Sequence, residues 1–160
     1  MSRAVLSLGS NMGDRLGYLQ STVDGLRNLL VAVSPVYETE AFGTEPQEPY
    51  LNAVLLAEGE VGPDGWLEQA AALEQAAGRV RTRRWAPRTL DVDVIAVDDV
   101  ISDDPRLTLP HPRAYERAFV LVPWLDVEPA ATLPGHGRVR GLLARLDVAG
   151  VRRRDDLVLA

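Results

Sequence analysis

The chain contains no cysteine and no lysine, and aromatic residues make up only 6% of it. Without cysteine there are no disulfides, no zinc–thiolate site and no thiol nucleophile. Without lysine there is no Schiff-base chemistry, no anchor for pyridoxal phosphate and no P-loop of the lysine-dependent kind. No apolar run reaches the length of a membrane span, and the apolar start at Ala4-Val5-Leu6 is too short for a secretion signal. A cytoplasmic protein without a membrane partner is therefore expected. A basic surface is missing as well: the net charge is −6, which disfavours nucleic acid as a partner. What remains is ordinary for a globular chain, with 46% hydrophobic and 25% charged residues in 160. That length suits one domain spanning residues 1–160, expected to be a monomer. All 17 basic residues are arginine, so any phosphate must be held by guanidinium groups, backbone N–H groups or a metal.

The pattern predicts a buried strand over 3–8, a turn over Gly9–Asp14, and a helix with Leu16, Leu19, Val23, Leu26 and Leu30 on one face. Ser34-Pro35 marks a boundary before a strand over 36–39. Residues 40–49 read as a loop and Tyr50–Glu60 as a long strand. Pro63 suits the first position of a second helix, which Gly78 would end. An arginine-rich connection, Arg79–Arg88, leads to a strand over Thr89–Val97, and Asp98-Asp99 would turn a short hairpin into Val100-Ile101. Phe119–Val127 fits a helix or a strand, because Pro123 interrupts it. Residues 138–147 suit a last helix and 152–156 a solvated charge run. The order β-α-β-β-α-β predicts an α+β, ferredoxin-like fold: a mostly antiparallel sheet with helices packed against it and a C-terminal extension.

The chemistry concentrates in Trp85-Ala86-Pro87-Arg88-Thr89-Leu90-Asp91-Val92-Asp93-Val94-Ile95. Alternation along a strand turns Leu90, Val92, Val94 and Ala96 to one side and Asp91 and Asp93 to the other, with the aspartate Cα atoms about 6.6 Å apart. Two carboxylates so placed repel unless a cation joins them, and Mg²⁺ takes a few carboxylates together with water and substrate phosphates. A solvated strand face would give the same pattern. Arg79, Arg81, Arg83, Arg84 and Arg88 lie just upstream, and they suit either a salt-bridge network or a grip on polyphosphate. Trp85 suits a lid over a flat ligand as well as a core position. Tyr50 and Asn52 share a strand face, as a stacking ring beside a hydrogen-bonding amide would, or as an ordinary half-exposed face would. His111, stiffened by Pro110 and Pro112, suits a phosphate contact; His136 reads as a loop residue. A two-metal nuclease and a ferredoxin-like RNA-binding module are rival readings, which the net charge and the paired aspartates respectively disfavour.

The block Arg84–Ile95 resembles the signature of the 6-hydroxymethyl-7,8-dihydropterin pyrophosphokinase family. Five further blocks follow the family's order: Leu8-Gly9-Ser10-Asn11, Tyr50-Leu51-Asn52-Ala53, Gly78-Arg79-Val80-Arg81, Leu107–Pro112 and Arg117–Leu121. The resemblance implies transfer of diphosphate from ATP, the co-substrate, to the hydroxymethyl oxygen of the reduced pterin in folate biosynthesis, with release of AMP. It implies two Mg²⁺ ions on Asp91 and Asp93. It implies pterin contacts from Gly9, Thr39, Phe42, Tyr50, Asn52 and Phe119. Arg79 and Arg88 match residues that steady the transferring phosphates. Glu74, Arg81, Trp85, Arg106, Thr108, His111 and Arg117 match positions around the nucleotide. Pro112 stands where the family often has an aromatic, and the loop before Trp85 is one residue shorter, which leaves open whether Thr82, Arg83 or Arg84 reaches the nucleotide.

Overall fold

The computed structural model describes residues 1–41, 47–78 and 89–160. The central strand is β1 (Ser2–Ser10), buried along nearly its whole length between two neighbouring strands. It pairs antiparallel with β4 (Tyr50–Gly59) on one side and β5 (Asp91–Val97) on the other. The outer side of β4 receives two short strands, β2 (Leu30–Val33) and β3 (Tyr37–Thr39). Ser34 still bonds to the β4 backbone, its N–H donating to the Val54 carbonyl at 3.0 Å and its Oγ accepting from the Val54 N–H at 2.9 Å. Pro35, which has no N–H to donate, follows and splits the edge into two strands. With β2 and β3 taken as one split strand, the order is that of the expected ferredoxin-like α+β sheet.

Two helices cover one face. The helix α1 (Arg15–Gly25) starts at Asp14, whose carboxylate accepts from the Gly17 N–H at 3.0 Å, a side-chain N-cap. The helix α2 (Pro63–Ala76) has proline at its first position, as the sequence predicts. It closes just before Gly78, whose φ of +73° is the left-handed turn that glycine tolerates. Between them and the sheet lie Leu6, Leu8, Leu19, Val23, Leu55, Trp66, Val92 and Val94. Leu30, expected on the face of α1, instead begins β2: its helical spacing from Leu26 is coincidental, since α1 ends at Gly25.

The opposite face is covered over only part of its area, by α3 (Ala118–Val127). The ambiguous stretch is thus a helix that keeps Pro123 inside it, buried against the sheet. Val120, Leu121 and Trp124 pack on Val5, Val54, Leu56, Ile95 and Ala96. The predicted strand at Val100-Ile101 does not form. Asp98 takes a positive φ of 48°, Val100 folds back to the Val97 carbonyl, and the only pairing there is an isolated bridge, Ser102 to Leu109. The last helix is short, α4 (Val139–Leu143). It follows a hairpin of β6 (Thr132–Leu133) and β7 (Gly137–Arg138).

The tail is not a free charge run. Arg152–Arg153 form β8, an edge strand on β3, and Arg152 and Arg154 both reach Glu38, at 3.0 and 2.8 Å. Leu157 and Leu159 pack on the core beneath, and the Ala160 backbone exchanges hydrogen bonds with Gln20.

Candidate active site

The part of the sheet that α3 leaves uncovered is the floor of a cavity of about 820 Å³. Strand register decides what lines it. On β1, Ser7 and Gly9 point to this face. Gly9 lies between Asn52 of β4 and Asp91 of β5, and Ser7 lies between Val54 and Asp93. All six face the same way by alternation, so the two aspartates and the Asn52 amide share one surface with a glycine between them. Asp91 and Asp93 are half-buried and both line the cavity, while Leu90, Val92 and Val94 are buried beneath the sheet. One part of the expected alternation fails. Val5 pairs with Ala96 and Leu6 with Val94, so Ile95 is an extra residue, a β-bulge that turns Ala96 onto the α3 side. The bulged Ile95 carbonyl accepts from the His111 N–H at 2.8 Å, which fixes the His111 segment along the free edge of β5.

On the other flank, the Asn52 amide nitrogen donates to Thr39 Oγ1 at 2.7 Å, and both side chains are buried. With its nitrogen so occupied, the amide turns Oδ1 toward Gly9. Tyr37, the cross-strand partner of Asn52, donates its hydroxyl to Asp126 of α3 and so ties β3 to the helix above. Burial and the Asp126 carboxylate push the Tyr37 phenol up to about 12, so it stays a donor. Tyr50 rises from the start of β4 and Phe119 from the start of α3, and both line the cavity. The Arg117 guanidinium lies 5.6 Å from the Phe119 ring centroid, a cation–π contact at the cavity wall.

His111 is neutral at ordinary pH. Burial, then the Arg117 charge and to a lesser extent Arg113, bring its imidazole down to about 4, against an opposing pull from Asp91. Its Nδ1 accepts from the Arg113 N–H at 3.2 Å, so the single ring proton sits on Nε2 as a donor.

The cavity therefore gathers Gly9, Thr39, Tyr50, Asn52, Asp91, Asp93, Arg117 and Phe119 from the candidate set. Four other candidates do not line it; one is His111, held on the edge of β5 by the bond of its N–H to the Ile95 carbonyl. Glu74 lies behind β5, where its Oε2 accepts from the Val92 N–H at 2.8 Å. Arg106 is two-thirds exposed and paired with Asp64 at 3.2 Å, and the Thr108 hydroxyl donates to the Asp104 carbonyl at 3.2 Å. Phe42, Arg79, Arg81, Trp85 and Arg88, together with Thr82, Arg83 and Arg84, lie outside the described residues. Sequence reasoning missed several lining residues. Ser7 was within reach, since it stands two before Gly9 on the same strand face. Arg113 and Glu116 carried a weaker signal, charge close to His111. Leu146, Asp147 and Val151 had none, because that segment reaches the cavity through long-range packing, Leu146 on the α3 side of the core and β8 on β3.

This geometry suits a flat polar heterocycle between aromatic walls, beside an oxygen site for a cation. Among the described residues no three acidic, histidine or cysteine side chains gather as a complete metal cage. The Asp91–Asp93 pair matches the partial donor set that Mg²⁺ uses when substrate phosphates and water supply the rest.

Comparison with known proteins agrees. The family model for 7,8-dihydro-6-hydroxymethylpterin-pyrophosphokinase (HPPK) matches residues 5–129. Curated relatives are named 2-amino-4-hydroxy-6-hydroxymethyldihydropteridine pyrophosphokinase. One from Mycobacterium leprae is 51% identical over 161 residues, covering 92% of this chain and 84% of that protein. One from Methylorubrum extorquens is 43% identical over 159 residues, covering 96% and 99%. Among solved structures, an HPPK-DHPS in complex with substrates superimposes with a TM-score of 0.68 at 12% identity. It covers 89% of this chain, which spans only 43% of that longer one. Wild-type Plasmodium falciparum HPPK-DHPS gives a TM-score of 0.67 at 13% identity over 90% and 44%. Those two likenesses show the fold, whereas the family match and the curated relatives go further: the chain belongs to the 7,8-dihydro-6-hydroxymethylpterin-pyrophosphokinase family.

Proposed function

We propose that this cavity is where the chain performs its family's reaction, with the pterin on the Asn52 side and the ATP phosphates on the Asp91–Asp93 side. The activity is ATP-dependent transfer of diphosphate onto 6-hydroxymethyl-7,8-dihydropterin, a step of folate biosynthesis that leaves AMP. In this reading the pterin stacks between Tyr50 and Phe119. Asn52 Oδ1 and the Thr39 hydroxyl meet its hydrogen-bonding edge, and Gly9 lets the ring lie close to the sheet. The hydroxymethyl group then points along the floor toward Asp91. Arg117 and the Nε2–H of His111 donate to phosphate oxygens; a neutral histidine suits donation better than proton abstraction here, because its one free lone pair is already taken by the Arg113 N–H. When bound, Mg²⁺ would polarise the attacked phosphorus and lower the pKa of the attacking alcohol. Asp91 and Asp93 are the residues that would hold it, as two ions. Catalysis of this kind rests on positioning and on charge placed where charge develops. The family resemblance adds Arg79, Arg81, Trp85 and Arg88 over the phosphates, with Arg106 and Thr108 along the nucleotide.

What supports the reading most is that Asp91, Gly9 and Asn52 stand side by side on three neighbouring strands, so the metal pair and the pterin-edge amide share one floor. The proposal includes a monomer acting through a single 1–160 unit. No helix among the described residues is long and apolar enough to cross a membrane, in keeping with the cytoplasmic site proposed.

The test is AMP release from protein, MgATP and hydroxymethyldihydropterin. AMP should form only when the pterin is present. Asp91→Asn and Asp93→Asn should each lower turnover at least about a hundredfold while the circular dichroism spectrum is unchanged. AMP formed without pterin, or near-normal turnover in either variant, would overturn the reading.

A further inference from the structure

We propose that Glu74 is a positioning residue for Asp91 and Asp93, holding the start of β5 in register from behind the site through its bond to the Val92 N–H. The proposal rests on reading the two aspartates as the magnesium carboxylates.

The relevant strand is exposed to slippage where it matters most. Asp91 is the first residue of β5, and among the described residues β5 has β1 as its strand partner on one side only. An edge strand that begins at a functional residue is a place where local opening is cheap. Val92 lies between the aspartates and is fastened twice, once on the helix side of the sheet and once at the strand edge. Its side chain is buried in the core shared with α1 and α2, and its outward N–H donates to Glu74 Oε2 at 2.8 Å. Glu74 sits in the last turns of α2 and is itself only 7% exposed. A carboxylate buried there is costly unless its hydrogen bonds are made, and a charged acceptor on a backbone N–H is among the stronger ones available. Three residues further on, the same edge is fastened again, by the His111 N–H on the Ile95 carbonyl. Asp93 thus lies between two backbone anchors, and Asp91 lies one peptide from the first.

The geometry predicts that reach decides whether the Val92 N–H keeps its acceptor. Gln can accept the same N–H at the same distance; Asp keeps the charge but falls one methylene short. The experiment compares Glu74→Gln and Glu74→Asp with wild type, using Asp93→Asn as the reference for the metal reading. One readout is exchange of the Val92 amide hydrogen, followed by NMR without magnesium or nucleotide. The other is the Mg²⁺ concentration giving half-maximal velocity, with the pterin KM alongside. E74D should speed Val92 exchange and raise the magnesium requirement about tenfold, with the pterin KM changed by less than about twofold; E74Q should stay within about threefold of wild type on both readouts. An E74Q variant impaired as far as E74D, or an E74D variant with wild-type exchange and magnesium requirement, would overturn the proposal. If D93N left the magnesium requirement unchanged, the metal reading itself would fall. Val92 exchange still reports on the anchor independently, so the two failures are told apart.

Discussion

Gly9 and Asn52 face each other across the β1–β4 ladder with almost no room between them: a Cβ added to Gly9 would stand 3.3 Å from Asn52 Oδ1 and 3.3 Å from the Tyr50 ring. The glycine is required by this close approach rather than by its backbone angles. Gly9→Ala should therefore push the amide and the tyrosine ring outward by a few tenths of an ångström, since Thr39 holds the amide from its other side. The expected result is a pterin KM raised about tenfold with the ATP KM changed far less, because small displacements of positioning groups are expensive. Steady-state kinetics with each substrate varied in turn would show it. An unchanged pterin KM would mean that Asn52 and Tyr50 do not set the pterin's position.

A pH effect follows from His111. In the unfolded chain its imidazole titrates at the ordinary value of about 6.5. In the folded protein burial and the nearby arginines bring it down to about 4. Between those values the unfolded chain binds a proton that the folded one refuses, so stability falls as the pH drops through this window and is unaffected by this residue above it. Without magnesium or nucleotide, the urea midpoint of wild type should decline more steeply from pH 6.5 to 4 than that of His111→Gln. Ring ¹⁵N shifts should show a neutral imidazole, protonated on Nε2, at pH 5.5. A ring that titrates near 6.5 would contradict both statements.

Alternation and turn chemistry were enough to place Asp91 and Asp93 on one face, to start α2 at Pro63 and to close it at Gly78, because those features depend on neighbours in the sequence. The β-bulge at Ile95 was not legible: it arises from how β1 pairs with β5, and nothing in Val94-Ile95-Ala96 marks it. Phe119–Val127 fits helix or strand because Pro123 interrupts it; its helical state is decided by packing on the face of the sheet, and that face exists only after folding. The wall formed by Leu146, Asp147 and Val151 was invisible for the same reason. Arg152–Arg154 read as solvated because the carboxylate that orders two of them, Glu38, lies more than a hundred residues earlier.

That carboxylate carries the last prediction. Glu38 is 14% exposed on its side chain and receives Arg154 at 2.8 Å, Arg152 at 3.0 Å and Arg15 at 3.3 Å. Arg15 also donates to the Pro49 carbonyl at 2.8 Å. One side chain thus joins the start of α1, strand β3, the chain entering β4 and the C-terminal strand. Exposed ion pairs contribute little, but this acceptor is largely shielded and serves three charged donors, so removing it loses three charge-assisted contacts at once, while Arg154, Arg152 and Arg15 keep their more exposed acidic partners Asp156, Glu40 and Glu48. Glu38→Gln should cost about 1–3 kcal/mol of stability, read from the urea midpoint. Its second effect separates it from a plain loss of stability. β8 holds the segment that brings Leu146, Asp147 and Val151 to the cavity, so the pterin KM should rise under conditions where the variant is fully folded, while the ATP KM stays close to wild type. A stability loss with both constants unchanged would show that the tail closes the fold without shaping the pterin site.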